Sequence, residues 1–171
     1  GDLNGDWALD IAAGNHFQQN VAYLNVPKNI NTPTYFPDPS FRAAVGAFMS
    51  VATGEVFTAA EAAAKTGSFD CSDLSISNAA GLEYFTGITA FYCNNNSFPT
   101  LDVSNNTSLV YLYCDGNGLT SLNVSNNLHL VELGCSRNQL TILDVSDLGN
   151  LELLHCYENY IAQLNIGGAV S

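Results

Sequence analysis

From residue 88 onward, apolar and polar positions recur in the same order every 21 residues. ITAFYCNNNSFPTLDVSNNTS (88–108), LVYLYCDGNGLTSLNVSNNLH (109–129), LVELGCSRNQLTILDVSDLGN (130–150) and LELLHCYENYIAQLNIGGAVS (151–171) align without a gap. Cys93, Cys114, Cys135 and Cys156 share one column, and Asn96, Asn117, Asn138 and Asn159 a second. Leu101, Leu122, Leu143 and Leu164 make a third. Ser104, Ser125 and Ser146 make a fourth, which ends at Gly167. A less regular copy, FDCSDLSISNAAGLEYFTG, sets Cys71 22 residues before Cys93.

Alternate side chains of a strand share a face. The L-x-C core of each copy therefore turns Phe91, Leu112, Cys114, Leu133, Leu154 and Cys156 inward. No copy can bury its own apolar face, so the copies must stack. Stacking puts one short strand per turn into a parallel sheet, with strands about 4.8 Å apart. Each column becomes a ladder. The asparagine ladder is polar and internal, and its amides are expected to satisfy backbone groups where the chain leaves each strand.

This pattern resembles the leucine-rich repeat L-x-x-L-x-L-x-x-N-x-L, with cysteine in place of the third leucine. It is most similar to the short bacterial repeat of internalin-like surface proteins; the first copy is nearer to the 22-residue internalin repeat. The resemblance covers residues 67–171. It implies an α/β leucine-rich repeat solenoid: a curved parallel β-sheet of about five short strands with a helical amino-terminal cap.

Residues 35–66 carry a different pattern and are assigned to that cap. Ser40 can cap a helix over residues 41–49 with Phe41, Val45 and Phe48 on one face. Thr58 and Glu61 form a capping box for a second short helix that ends at Gly67. The stretch Pro37-Asp38-Pro39-Ser40-Phe41 also resembles the segment that precedes repeats in bacterial leucine-rich proteins. Residues 1–34 form a separate segment. Alternation of Trp7, Leu9 and Ile11, and of Val21, Tyr23 and Val26, suggests a hairpin, followed by a linker over residues 29–33. Asp2, Asn4, Asp6 and Asp10 are spaced like the start of a calcium loop. However, Trp7 stands where that loop wants glycine and Ala13 where it wants a carboxylate, so a surface turn is the better reading.

The last copy brings no cap of its own, which would leave Leu154, Ile161, Leu164 and Ile166 at an open edge. Either the native chain continues, or a second subunit by self-association or the amino-terminal segment covers the edge, or the edge is blunted. Gly1 reads as the scar of a trimmed amino terminus, and no signal peptide is visible.

Four basic residues against sixteen acidic ones give a net charge of −12, a poor match for nucleic acid or anionic membranes. No apolar run is long enough to span a bilayer. The chemistry of an enzyme does not assemble: His16, His129 and His155 lie in three unrelated contexts, with no nucleophile–base pair or convergent carboxylates. The cysteines lack metal-ligand spacing, and stacked side chains run parallel, a poor geometry for disulfides. All five are therefore read as core, and no catalytic residue, metal or cofactor is assigned. Five cysteines would suit a reducing compartment. Burial shields them, however, and the resemblance implies an extracytoplasmic, secreted or cell-surface location.

What remains is the outward face of the strands. It reads Ala90, Tyr92 and Asn94, then Tyr111, Tyr113 and Asp115, then Glu132, Gly134 and Ser136, then Leu153, His155 and Tyr157. Tyrosine also favours strands for its own sake, but it is an apt contact residue. Tyr92, Tyr111, Tyr113, Asp115, Glu132, His155 and Tyr157 are the expected ligand-binding set, for a protein or glycan. A purely structural spacer and a polysaccharide-binding accessory domain are the alternatives.

Overall fold

Residues 21 apart in sequence become direct neighbours in space. The computed structural model describes residues 30–32, 34–51 and 56–167. Two helices, α1 (Pro39–Met49) and α2 (Ala59–Ala64), precede β1 (Gly67–Asp70), β2 (Ile88–Tyr92), β3 (Tyr111–Tyr113), β4 (Glu132–Gly134), β5 (Ile142–Asp144), β6 (Leu153–His155) and β7 (Gln163–Asn165). β1, β2, β3, β4 and β6 form a five-stranded parallel sheet in that order. Phe91, Leu112, Leu133 and Leu154 are matched across it in one row. The 22-residue step from β1 is absorbed by a register irregularity between Gly67 and Ser68, after which Phe69 faces Phe91. The fold is therefore a leucine-rich repeat solenoid, as the repeat predicts. A second ladder was not expected: β5 pairs with β7, with Leu143 opposite Leu164.

The asparagine ladder closes the turn after each strand. Asn117 Nδ2 donates to the carbonyls of Cys93 and Cys114, both at 3.1 Å, while its Oδ1 accepts the Phe98 N–H at 3.1 Å. Asn138 repeats this one turn later, with Cys114 O at 3.0 Å, Cys135 O at 3.1 Å and Leu119 N at 3.0 Å. Asn96 and Asn159 do the same at the two ends. One amide thus binds its own turn and the preceding one. A strand exit needs such a partner, because the chain swings into a left-handed residue there. Asn95, Arg137 and Glu158 have φ near +52°, and Gly116 has φ +63°. The N–H groups of Asn95, Gly116 and Arg137 still donate to the next turn, but the cysteine carbonyls just before the bend are bound by the asparagine amides, and a buried unpaired carbonyl is costly.

A second internal asparagine pair, Asn106 and Asn127, was not foreseen. Asn106 Nδ2 donates to the carbonyls of Leu82 (3.0 Å) and Phe85 (2.9 Å), and Asn127 Nδ2 to those of Val103 and Asn106, both at 3.0 Å. Both residues are fully buried, and neither Oδ1 has a hydrogen-bond partner. The next copy puts Leu148 in this column, buried and with no polar atom to satisfy. The repeated SNN at 104–106 and 125–127, changing to SDL at 146–148, was the available signal.

All five cysteines are free thiols, and Cys71, Cys93, Cys114 and Cys135 are buried. Cys156 is only half-buried, against the expectation that all five lie inside. It follows the last strand of the five-stranded sheet, so it is packed from one side among the described residues. Burial pushes the Cys93 and Cys114 thiols well up, reinforced by neighbouring thiols, and those of Cys71 and Cys135 up to about 12. At the same end Leu164 and Ile166 are exposed, whereas Leu154 and Ile161 are partly buried against the core.

The cap closes the other end with aromatic rings. Phe48 stacks on Phe69 at 4.6 Å, Phe69 touches Phe41, Phe85 and Phe91, and Phe36 links Phe41, Phe57 and Phe85. A fully buried phenylalanine contributes about 1.5–3 kcal/mol, so this cluster anchors the helices to the first strand. Asp38, not Ser40, caps α1. Its Oδ1 accepts the N–H groups of Ser40 (2.9 Å) and Phe41 (3.0 Å), and its Oδ2 accepts the Ser77 N–H (2.9 Å) and hydroxyl (3.1 Å). The carboxylate wins because it serves the helix and the first turn of the solenoid together. The Thr58–Glu61 capping box forms, but α2 stops at Ala64. Gly67, at φ +92°, opens β1 instead of ending the helix. Within the segment read as a linker, Ile30 is 2% exposed and its N–H donates to the Phe57 carbonyl at 3.0 Å. The hairpin and the calcium-like spacing lie outside the described residues.

Two outcomes follow from the ladders. Asn138→Ala is expected to destabilise by about 1–3 kcal/mol, since it strands buried backbone groups. Urea unfolding should show this loss, against a change within a few tenths for the exposed Asn105→Ala. In native protein an alkylating reagent at neutral pH should modify Cys156 first, with the other four thiols reacting only on unfolding, as read by mass spectrometry.

Candidate binding face

The five-stranded sheet offers three outward columns. The first is Ser68, Ala90, Tyr111, Glu132 and Leu153; the second is Asp70, Tyr92, Tyr113, Gly134 and His155. The third lies just past the strands and runs Ser72, Asn94, Asp115, Ser136 and Tyr157. Strand alternation sends these columns outward because the intervening positions are filled by the core.

Tyr92 and Tyr113 stack, with ring centroids 5.5 Å apart and planes 22° from parallel. The Tyr113 hydroxyl donates to Glu132 Oε2. The ring lies over Gly134, where an added Cβ would come within 2.5 Å of Tyr113 Cδ1 and 2.6 Å of Asp115 Oδ2. Glycine in this copy, where the two preceding ones have tyrosine, is what lets the ring lie down. Tyr113 is thus held from three sides and arrives ordered.

The third column works mainly on the backbone. Ser72 Oγ accepts the Asn94 N–H (3.2 Å), Asn94 Oδ1 the Asp115 N–H (2.9 Å) and Asp115 Oδ1 the Ser136 N–H (2.7 Å). Asp115 is therefore half-buried and partly committed, not a free contact. Ser136 is fully buried, with no partner for its hydroxyl, and Ala90 is 2% exposed, so neither outward position offers surface. Tyr111, His155 and Tyr157 are exposed; Tyr92, Tyr113 and Glu132 are half-buried. The structure brings Tyr92, Tyr113, Asp115 and Glu132 together. His155 shares the column of Tyr113 but lies beyond Gly134, and Tyr157 follows the last strand. Asp70 belongs to this face as well and was not among the expected residues, though FDCSD in the irregular first copy marks its place.

A groove of about 560 Å³ lies off this face among Val110, Val131, His129 and Glu152, and no expected binding residue lines it. Among the described residues no group of His, Cys, Asp or Glu is arranged to hold a metal, and no helix is long and apolar enough to cross a membrane.

Fold and repeat together define a leucine-rich repeat solenoid with an internal cysteine ladder. The chain is internalin-like. It is 37% identical over 73 residues to internalin J of Listeria monocytogenes, a match that covers 43% of this chain and 8% of that protein. It superposes with a TM-score of 0.72 on the solved functional domain of internalin J, which includes a cysteine ladder. That match is 39% identical and covers 74% of this chain and 28% of the other. The Listeria internalins inlF (TM-score 0.63, 23% identical, 84% of this chain and 39% of the other) and inlC2 (0.62, 17% identical, 81% and 77%) share the fold. No protein-family model matches the chain.

The Tyr113–Glu132 contact has a measurable signature. The hydrogen bond to Glu132, aided by burial and nearby negative charge, pushes the Tyr113 phenol up to about 12. A raised phenol pKa favours the folded state below pH 10, and that contribution is lost as pH rises from 10 toward 12. In Glu132→Ala, ultraviolet titration of tyrosinate should show one tyrosine ionising at lower pH than in the parent, and the alkaline unfolding difference should shrink.

Proposed function

We propose that this domain is a non-enzymatic recognition module of a bacterial surface or secreted protein, and that it binds a protein ligand through the outward face of the five-stranded sheet. One observation carries the reading: the Tyr92–Tyr113 stack, fixed by Glu132 and seated on Gly134. Aromatic side chains already held in place lose little conformational entropy on binding, and tyrosine dominates binding hot spots. Sheet strands supported by the two internal ladders keep their spacing whether or not a ligand is present. The likeness to internalin J supports a location outside the cell. A polysaccharide platform fits less well, because the two tyrosines turn ring faces toward each other and not along a shared open plane. A spacer would have no use for a hydroxyl-pinned aromatic pair on its surface.

The expected outcome for Tyr92→Ala with Tyr113→Ala is loss of ligand capture in a screen of immobilised extracellular proteins, with the melting temperature within a few degrees of the parent. Undiminished capture by the double variant would move the site off this face.

A further inference from the structure

Among the described residues the sheet face is acidic, with His155 at its far end and no lysine or arginine to balance the carboxylates. Its five strands contain no lysine or arginine. The whole chain has only four. Arg42 Nη1 is spent on the Phe36 carbonyl at 2.8 Å, and Lys65 Nζ lies 5.1 Å from the centre of the Phe48 ring, both in the cap. Arg137 stands in the turn after β4, outside the strands. Three carboxylates flank the tyrosine pair: Asp70 next to Tyr92 in the same column, Glu132 on the Tyr113 hydroxyl, and Asp115 beside Gly134. Each is held by a neutral donor, the N–H of Ser72, the Tyr113 hydroxyl and the N–H of Ser136 respectively, and each such bond uses one oxygen.

Resting on the reading of this face as the recognition surface, we propose that its partner is a basic protein segment whose arginine or lysine side chains lie along the Tyr92–Tyr113 stack between Asp70, Glu132 and Asp115. A guanidinium or ammonium group gains twice in such a place, from the π-face of a tyrosine and from a carboxylate already oriented. A neutral partner forgoes both gains, and an acidic one is repelled as well, since like charge on a desolvated surface is strongly disfavoured. The spacing also fits. Asp70 to Gly134 spans three strand steps, about 14 Å, and an extended chain presents side chains on one side about every 7 Å. A strand-like segment with basic residues at alternate positions would therefore reach both ends of the row.

The probe is a six-residue peptide of alternating glycine and arginine, titrated into the full chain and followed by backbone-amide shifts. Peptides with citrulline or glutamate in place of arginine serve as comparisons. The arginine peptide should shift the amides of β2, β3 and β4, more weakly as salt is raised, and the other two should not. The triple variant Asp70→Asn, Asp115→Asn, Glu132→Gln keeps the hydrogen-bond acceptors and should weaken the arginine peptide by at least about tenfold. The triple variant Asp102→Asn, Asp144→Asn, Asp147→Asn removes the same charge away from the sheet and should change it by less than about threefold. Equal loss in the two triples would overturn the proposal, because net charge alone would then account for binding. If the citrulline or glutamate peptide shifts the same amides, and Tyr92→Ala with Tyr113→Ala abolishes those shifts, the basic partner is overturned while the recognition face stands. Shifts confined to residues off the sheet with every peptide overturn both.

Discussion

The structure depends on one repeated interaction: an asparagine amide that spans the carbonyls following two successive strands. A short strand leaves the sheet through a left-handed residue whose N–H still bonds the next turn, and it is the cysteine carbonyl just before it that the asparagine amides take up. The amide of Asn96, Asn117, Asn138 or Asn159 supplies donor and acceptor together, and only a side chain of that length and dual character fits. With the turn closed, stacking is forced into one register. The apolar rows of Phe91, Leu112, Leu133 and Leu154, and the thiols behind them, then become continuous.

The cysteine column follows from the same constraint. Carbonyls of Cys71, Cys93, Cys114 and Cys135 accept the asparagine amides, so the cysteine backbone sits at the crowded inner corner of each turn. A small apolar side chain suits that corner better than a leucine would. Burial then holds the thiols protonated, which makes them packing groups and not reactive ones. The same rigidity reaches the surface. Tyr113 can be presented in a fixed pose because the strand beneath it cannot shift without breaking an amide bridge.

The two ends of the stack are handled differently. At the amino-terminal end, phenylalanines of the cap continue the core onto α1, and Asp38 ties the start of that helix to Ser77 of the first turn. One carboxylate there stabilises the helix and its docking together; its pKa is raised by burial but lowered further by the hydrogen bonds from Ser77, Phe41 and Ser40. At the other end Leu164 and Ile166 are open, as the pattern of the last copy indicates, and Cys156 is half-buried, which the cysteine column did not indicate.

Spacing alone determined the solenoid, the parallel sheet and the internal asparagine row, because a 21-residue period with L-x-C admits one way of burying its apolar side. It also located the outward columns, since alternation in a strand is a local property. Other features required the tertiary structure. Ser40 and Asp38 are both cap-forming residue types and Pro39 at the first helical position favours Asp38, but that the same carboxylate also docks onto Ser77, 39 residues away, is seen only in the fold. Ala90 and Ser136 occupy outward columns yet are covered, and Asp115 is drawn into holding the backbone of the next turn. Gly134 looks like a gap in the tyrosine column until Tyr113 is seen lying across it. Asn106 and Asn127 are polar in sequence and buried in space because carbonyls from the preceding turns converge on them. Periodicity reports which side of the chain faces the core; only the neighbouring turn determines how much of the other side is left for a partner.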